Sequence, residues 1–371
     1  MNKKKNNEKM SVLILEPYFG GSHRSFLRGL MENTPFEFKL MEMPARKWKW
    51  RMRLAAPAMA EALRKKGRRF DRVLCSTFVD VAALRALGPS WLSDVPVLTY
   101  FHENQFAYPV QVEDERDIHF ALTNMTTALA SDSLAFNSQY NLDTFIGGIR
   151  DIARRAPDMT IGGVEETVLH RARVLSPGLD FSHIDSAPEP ERDDKPMRPV
   201  VLWNHRWEHD KGPDEFFSAL YKLDAEGLDF SIVVLGEQFE RQPPVFEEAR
   251  ERLAGRVLHF GYAPERADYA RLMKLCTVSV STSTHEFFGI SAIESSRAGV
   301  RPLLPRRLAY PGLFPDEFLY GEGELIERLR QELNNPRRLA RDDSLRLTGP
   351  HSWDALRQKY TDWIADAERG A

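Results

Sequence analysis

The chain's 371 residues are 42% apolar and 28% charged, with 22 Phe and 7 Trp, a composition that supplies ample core and excludes a disordered or fibrous protein. One hydrophobic core rarely serves that length, so two domains with a cleft between them are expected. A formal charge of -3 excludes a polycation, so any nucleic-acid contact must come from local patches.

The lysine-rich start, residues 1–10, reads as a disordered tail. The apolar run Val12 to Leu15 is stopped by Glu16 and Pro17, too soon for a secretion signal, and no uncharged apolar stretch approaches the roughly 20 residues of a spanning helix. A cytoplasmic protein without a membrane partner is expected. Ser11 to Leu15 is a strand, Tyr18-Phe-Gly-Gly21 a turn, and Ser22 to Met31 a helix. Similar units follow: Arg72 to Cys75 before Val79 to Leu87, Val95 to Phe101 before Arg116 to Ser131, and Ser133 to Phe136 before Asn141 to Ile146. Such alternation predicts an α/β fold with a parallel sheet covered on both faces. From Asp180 to Pro199 the chain is polar and proline-rich without periodicity, which predicts a lobe over 11–181 and a linker over 182–199.

A second βα series occupies 200–350, with strands at Val200 to Trp203, Phe230 to Leu235, Val257 to Phe260 and Val278 to Ser281. Trp353, Leu356, Tyr360, Trp363 and Ile364 have helical spacing, so a final amphipathic helix lies within 351–371. Cys75 and Cys276 sit in separate apolar runs and read as buried free thiols of a reducing compartment, not as a disulfide or zinc framework.

Two constellations in the second lobe carry chemistry. Ser283 to Glu294 follows a strand and enters a helix, with Glu286 in the loop, Glu294 inside the helix and Gly289 with Ile290 at its start. Free N–H groups and the helix dipole favour a phosphate there, and a carboxylate farther along can accept from ribose hydroxyls. Asn204 to Gly212 follows the lobe's first strand and presents Arg206 and Lys211 at its carboxyl end, where open parallel sheets bind ligands. Two cations there can neutralise a diphosphate leaving group, each charge-assisted bond contributing about 1.5–3 kcal/mol. Either motif alone is equally a capped helix or a solvated charge pair.

Together these residues resemble the family 4 glycosyltransferases, whose GT-B architecture has two Rossmann-like lobes with parallel sheets. The E-x7-E pattern matches Glu286 and Glu294, and the Arg/Lys pair before a glycine matches Arg206, Lys211 and Gly212. The resemblance implies that Arg206, Lys211 and Glu286 are catalytic, that Glu286 binds the transferred sugar and Glu294 the nucleotide ribose, and that Phe288, Gly289, Ile290 and Ser291 hold sugar and diphosphate.

In the first lobe Gly20-Gly21 is no dinucleotide fingerprint; it either lets backbone approach a donor closely or only tightens a turn. Phe101-His-Glu-Asn-Gln105 caps a strand. By the family resemblance His102 sits near the anomeric carbon, while Glu103, Asn104 and Gln105 either bind acceptor or order the loop. Between Arg46 and Arg53 five cations (Arg46, Lys47, Lys49, Arg51, Arg53) accompany Trp48 and Trp50. If extended, the cations face one way and Trp48, Trp50 and Met52 the other. This is either an RNA-binding strip with a stacking tryptophan or a surface strand whose tryptophans pack inward.

Combined, Glu16 to Arg24 (with His23), Pro44 to Arg53, Tyr100 to Gln105 with Tyr108-Pro109, Glu115-Arg-Asp117 and Phe136-Asn-Ser138 resemble the tRNA-queuosine mannosyltransferases. That resemblance implies GDP-mannose as a substrate donor, no cofactor or metal, queuosine-containing tRNA as partner, and transfer to the queuosine cyclopentenediol with retention. It also implies a final helix that crosses back to the first lobe. Two other readings stand beside it: a relative acting on lipid, polysaccharide or a small metabolite, and a non-catalytic RNA-binding relative. The first needs an amphipathic membrane-docking helix, which the period-two pattern of Arg46 to Arg53 fits poorly.

Overall fold

The computed structural model describes residues 9–108, 118–155, 158, 162–190, 197–238 and 242–369. Pro109, Glu115 to Asp117, residues 1–8 of the expected tail and 191–196 of the expected linker lie outside them. The chain divides into two compact units, Met1–Leu179 with Trp353–Ala371, and Asp180–Ser352.

The first unit runs β1 (Ser11–Phe19), α1 (Gly21–Asn33), β2 (Glu37–Pro44), α2 (Trp48–Lys66), β3 (Arg72–Ser76), α3 (Val81–Leu87), β4 (Val97–Phe101), α4 (Ile118–Ala130), β5 (Ser133–Phe136), α5 (Gln139–Arg155), α6 (Gly163–Arg171) and β6 (Ala172–Val174). Its six strands are parallel in the order β2-β1-β3-β4-β5-β6. The aliphatic runs of β1 and β3 are buried on both faces, Leu13 opposite Val73 and Leu15 opposite Cys75, as the helices on either side of a parallel sheet require.

Two elements differ from the sequence expectation. Strand β1 continues through Glu16, Pro17 and Tyr18 to Phe19, with a register irregularity against β2 between Glu16 and Phe19. The basic segment is not extended: Lys47, in the left-handed region at φ 51°, ends the loop after β2, and Trp48 opens a 19-residue helix with Pro57 inside it. Period two therefore gives way to period 3.6, which sends Trp48 and Met52 to one face and Trp50 to the opposite one.

The second unit runs α7 (Ser182–Asp185), β7 (Val200–Asn204), α8 (Pro213–Ala225), β8 (Ser231–Leu235), α9 (Val245–Arg252), β9 (Val257–Gly261), α10 (Arg266–Lys274), β10 (Val278–Val280), α11 (Ile290–Arg297), β11 (Arg301–Pro305), β12 (Leu319–Tyr320), α12 (Leu325–Asn334) and α13 (Arg341–Thr348). Its sheet is parallel too, ordered β12-β11-β10-β7-β8-β9. The expected linker is ordered at its start: Ile184 is buried, and Asp185 accepts from Arg297 Nε at 2.8 Å and Nη2 at 2.6 Å.

The last helix, α14 (Trp353–Ala365), belongs to the first unit. Trp353, Leu356, Tyr360, Trp363 and Ile364 are buried with Phe26, Leu30 and Tyr100. Full burial contributes about 1.5–3 kcal/mol per large apolar side chain. Tyr360 Oη donates to Ser176 O at 2.8 Å and Trp363 Nε1 to Ser133 Oγ at 2.9 Å. Both cysteines are free and buried.

Candidate functional site

In the second unit the chemistry gathers at the carboxyl ends of β7 and β10, joined by the loop into α11. Gly289 turns the chain at φ 91°, and a Cβ there would lie 2.9 Å from Tyr310 Cε1, so both backbone and space require glycine. Helix α11 starts immediately after, leaving first-turn N–H groups, Ile290 and Ser291 among them, without intrahelical acceptors. Lys211, buried in the turn after β7, donates from Nζ to His285 O at 2.7 Å and lies 3.2 Å from Asp210 Oδ2 and 3.5 Å from Glu286 Oε2. Burial would raise the Glu286 carboxyl, but neighbouring groups, the Lys211 charge foremost, outweigh it and hold the group below its ordinary value. Asp210 is likewise held down against burial, by His285, Lys211 and Arg206. Burial and then the Lys211 charge push His205 down to about 4, so its imidazole is neutral, with Nδ1 3.4 Å from Ser291 Oγ.

Glu294 faces different neighbours. Tyr269 Oη donates to its Oε2 at 2.7 Å and accepts from Asn204 Nδ2 at 2.7 Å. Burial lifts this carboxyl above its ordinary value, with the Tyr269 hydrogen bond acting against the lift. Arg206 departs from the expected pair of fixed cations: its side chain is about half exposed and bridges to Glu208 at 2.9 Å. Lys211 is the buried member of the pair, and it already shares its charge with two carboxylates.

A second polar cluster forms in the first unit where β1, β3 and β4 end beside α1. Glu16, 1% exposed, accepts from Tyr18 N at 2.8 Å and Ser76 Oγ at 3.1 Å, and its Oε2 is 3.1 Å from His23 Nδ1. His23 Nε2 lies 3.8 Å from Glu103. Burial lowers His23, but Glu16 and Glu103 together raise it to about 10, so it is an imidazolium at neutral pH. The His102 ring stacks on it with centroids 4.0 Å apart; burial and the His23 charge drive His102 well below its ordinary value. One charged and one neutral imidazole therefore lie face to face.

Several expected acceptor residues are buried and hydrogen-bonded within the first unit. His23 lies buried between two carboxylates. Asn104 is fully buried: Nδ2 donates to Asn141 O, Asn141 Oδ1 and Thr144 Oγ1, while Oδ1 accepts from Phe106 N and Ala107 N, so it orders the loop. Gln105 is buried and held through its backbone N–H by Asn124 Oδ1. Gly20 is explained by packing, since a Cβ there would collide with Ala45, whereas Gly21 at φ 49° has open space. In α2 Met52 is buried with Phe78 and Phe120, and Trp48 packs beside Phe120 and Tyr108. Arg51 is half-buried, its Nη1 3.5 Å from Met43 Sδ, while Arg46, Lys47, Lys49 and Arg53 are exposed and Trp50 is 66% exposed.

Residues 11–179 match the family model described as the tRNA-queuosine alpha-mannosyltransferase N-terminal region, and 187–329 match the model of glycosyl transferases group 1. Over 328 residues the chain is 30% identical to the tRNA-queuosine alpha-mannosyltransferase of Drosophila melanogaster, with 86% of each protein covered. This chain belongs to the tRNA-queuosine alpha-mannosyltransferase family. It is a glycosyltransferase, and its fold is GT-B: sucrose-phosphate synthase from Thermosynechococcus elongatus superposes with a TM-score of 0.71 at 14% identity, covering 96% of this chain and 99% of that one. The Anabaena HepE structure in complex with UDP gives 0.69 at 14% identity, covering 96% and 100%.

Within this family member, His205, Asp210 and His285 lie inside the motif segments without being singled out there, and their packing around Lys211 is what reveals them. Tyr269 carried no sequence signal. Its neighbours Asn204 and Glu294 are 65 and 25 residues away.

Proposed function

We propose that the enzyme transfers mannose from GDP-mannose to a hydroxyl of the queuosine cyclopentenediol at the tRNA anticodon wobble position, with retention and without a metal ion. The observation that carries the donor half is the contact of Lys211 with an ionised Glu286 directly before the N-terminus of α11. A nucleotide sugar supplies what those groups lack: its diphosphate takes the first-turn N–H groups of Ile290 and Ser291, and its sugar hydroxyls donate to Glu286. Arg206 can exchange Glu208 for a phosphate oxygen, since an exposed ion pair contributes only about 0–1 kcal/mol. As the sugar–phosphate bond breaks, charge grows on the diphosphate, and Lys211 with the helix N-terminus stabilises the departing group. Lys211 with the helix N-terminus, joined by Arg206, can stand where other transferases use a metal. The acceptor half rests on the family relationship, and an α-linked product from an α-linked nucleotide sugar is retention.

In the first unit we assign His102 as a neutral imidazole beside the transferred sugar. The exposed cations of α2, with Trp50, are assigned to the tRNA, cations to phosphates and the indole to an unpaired base. No helix among the described residues is long and apolar enough to cross a membrane.

The donor assignment is tested by transfer from GDP-mannose, GDP-glucose, UDP-glucose and UDP-galactose to bulk tRNA with and without EDTA. GDP-mannose alone should label the tRNA, unchanged by EDTA, and Glu286→Gln should cut the rate at least about a hundredfold, as loss of a transition-state contact does. Labelling from a UDP-sugar, or loss of activity in EDTA, would refute the corresponding half of the assignment.

A further inference from the structure

The second unit contains a chain of polar side chains that ends on Glu294. Tyr269, on α10, contacts two groups from separate elements: Asn204 Nδ2 at the end of β7 and Glu294 Oε2 on α11, each at 2.7 Å. A phenol has one hydrogen, an ionised carboxylate only accepts and an amide NH2 only donates, so the direction of both bonds is determined. Asn204 donates to the phenol oxygen, and the phenol hydrogen is aimed at Oε2. The opposite oxygen, Oε1, takes no hydrogen bond from a described residue and is not sealed from solvent. Glu294 is thus a carboxylate pinned on one side and open on the other.

We propose that Tyr269 is the positioning residue for nucleotide ribose recognition: by holding Glu294 Oε2 it fixes the carboxylate so that Oε1 alone meets the ribose diol. This rests on the assignment of Glu294 to the donor ribose. The relay discriminates among nucleotides because an immobilised acceptor rewards a correctly placed hydroxyl, whereas a carboxylate free to rotate about its χ angles binds ribose and deoxyribose more nearly alike. Burial disfavours the ionised form of Glu294, and the Tyr269 hydrogen bond opposes that effect, so the same contact favours the charged acceptor. Asn204 acts one step back, by occupying the phenol oxygen and leaving the hydroxyl hydrogen a single direction.

The test is equilibrium binding of GDP, 2′-deoxy-GDP and 3′-deoxy-GDP to the full chain, in the wild type and in Tyr269→Phe, with thermal melts as a fold control. Wild type should prefer GDP over at least one deoxy analogue by about tenfold, the effect of one charge-assisted hydrogen bond. In Tyr269→Phe that ratio should fall to within about twofold of unity, through weaker GDP binding and not tighter analogue binding. Should Tyr269→Phe not fold, Asn204→Ser reads the same ratio and should lower it. A ratio unchanged by either variant overturns the relay while leaving Glu294 at the ribose. No preference in the wild type overturns the ribose assignment of Glu294, and the relay with it.

Discussion

A histidine held between two carboxylates has a measurable consequence for stability. His23 is raised to about 10 in the folded chain, against an ordinary value of 6.5. The folded state therefore binds a proton that the unfolded state releases between those two values. Its stabilisation is complete below about pH 6.5 and is lost as pH rises through about 10, a slope of up to about 1.4 kcal/mol per pH unit. The melting temperature should fall steadily from pH 7 to 10 in the wild type and much less in Glu16→Gln, where His23 keeps only Glu103 at 3.8 Å. Parallel pH curves for the two proteins would show that Glu16 does not hold the proton on His23. In sequence Glu16 reads as the residue that interrupts an apolar run; its role becomes visible only when β1 continues past it and Ser76, from β3, reaches the same carboxylate.

Helix α2 shows how one element can serve core and surface together. Met52 is 3% exposed and Trp50 is 66% exposed, two residues apart in sequence and on opposite sides of the helix. Met52→Ala should destabilise by about 2–5 kcal/mol, the range for a buried methionine. Trp50→Ala should change stability by less than about 0.5 kcal/mol, yet weaken tRNA binding by about 1–3 kcal/mol if its indole stacks on a base. Chemical denaturation and filter binding on both variants check this, and a Trp50→Ala protein with unchanged tRNA affinity would remove the stacking assignment. The alternation of Lys and Trp in this segment suits an extended chain and fits a helix poorly, yet the segment is helical. The helical period wins because it places Trp48 and Met52, one turn apart, on the face that packs against Phe78 and Phe120. Strand β2 was missed for a related reason: as an edge strand its residues are only half-buried or exposed, so Glu37 to Pro44 lacks the aliphatic run that marks β7 or β8.

For the molecule as a whole, the architecture was the most legible part. Buried parallel strands must be continuous aliphatic runs, and Val200 to Trp203, Phe230 to Leu235 and Ser133 to Phe136 each became one. The helical spacing of Trp353, Leu356, Tyr360, Trp363 and Ile364 called for an apolar surface, which the first unit provides. In the second unit the motif residues Lys211, Glu286 and Gly289 come together as expected, because E-x7-E and the Lys-Gly turn each follow a strand that ends at the same edge of one sheet. Side chains with distant partners, Tyr269 and His205 above all, could be recognised only in three dimensions. With a net charge of -3, any tRNA binding has to rest on local positive patches, the role proposed above for the cations of α2.

The most direct measurement of the central claim is transfer of radiolabelled mannose from GDP-mannose to tRNA from cells that make queuosine and to tRNA from cells that cannot. Label in the first tRNA alone, released with the queuosine nucleoside on digestion, is the predicted result. Equal labelling of both, or label in neither while a lipid or glycan acceptor is modified, would contradict it.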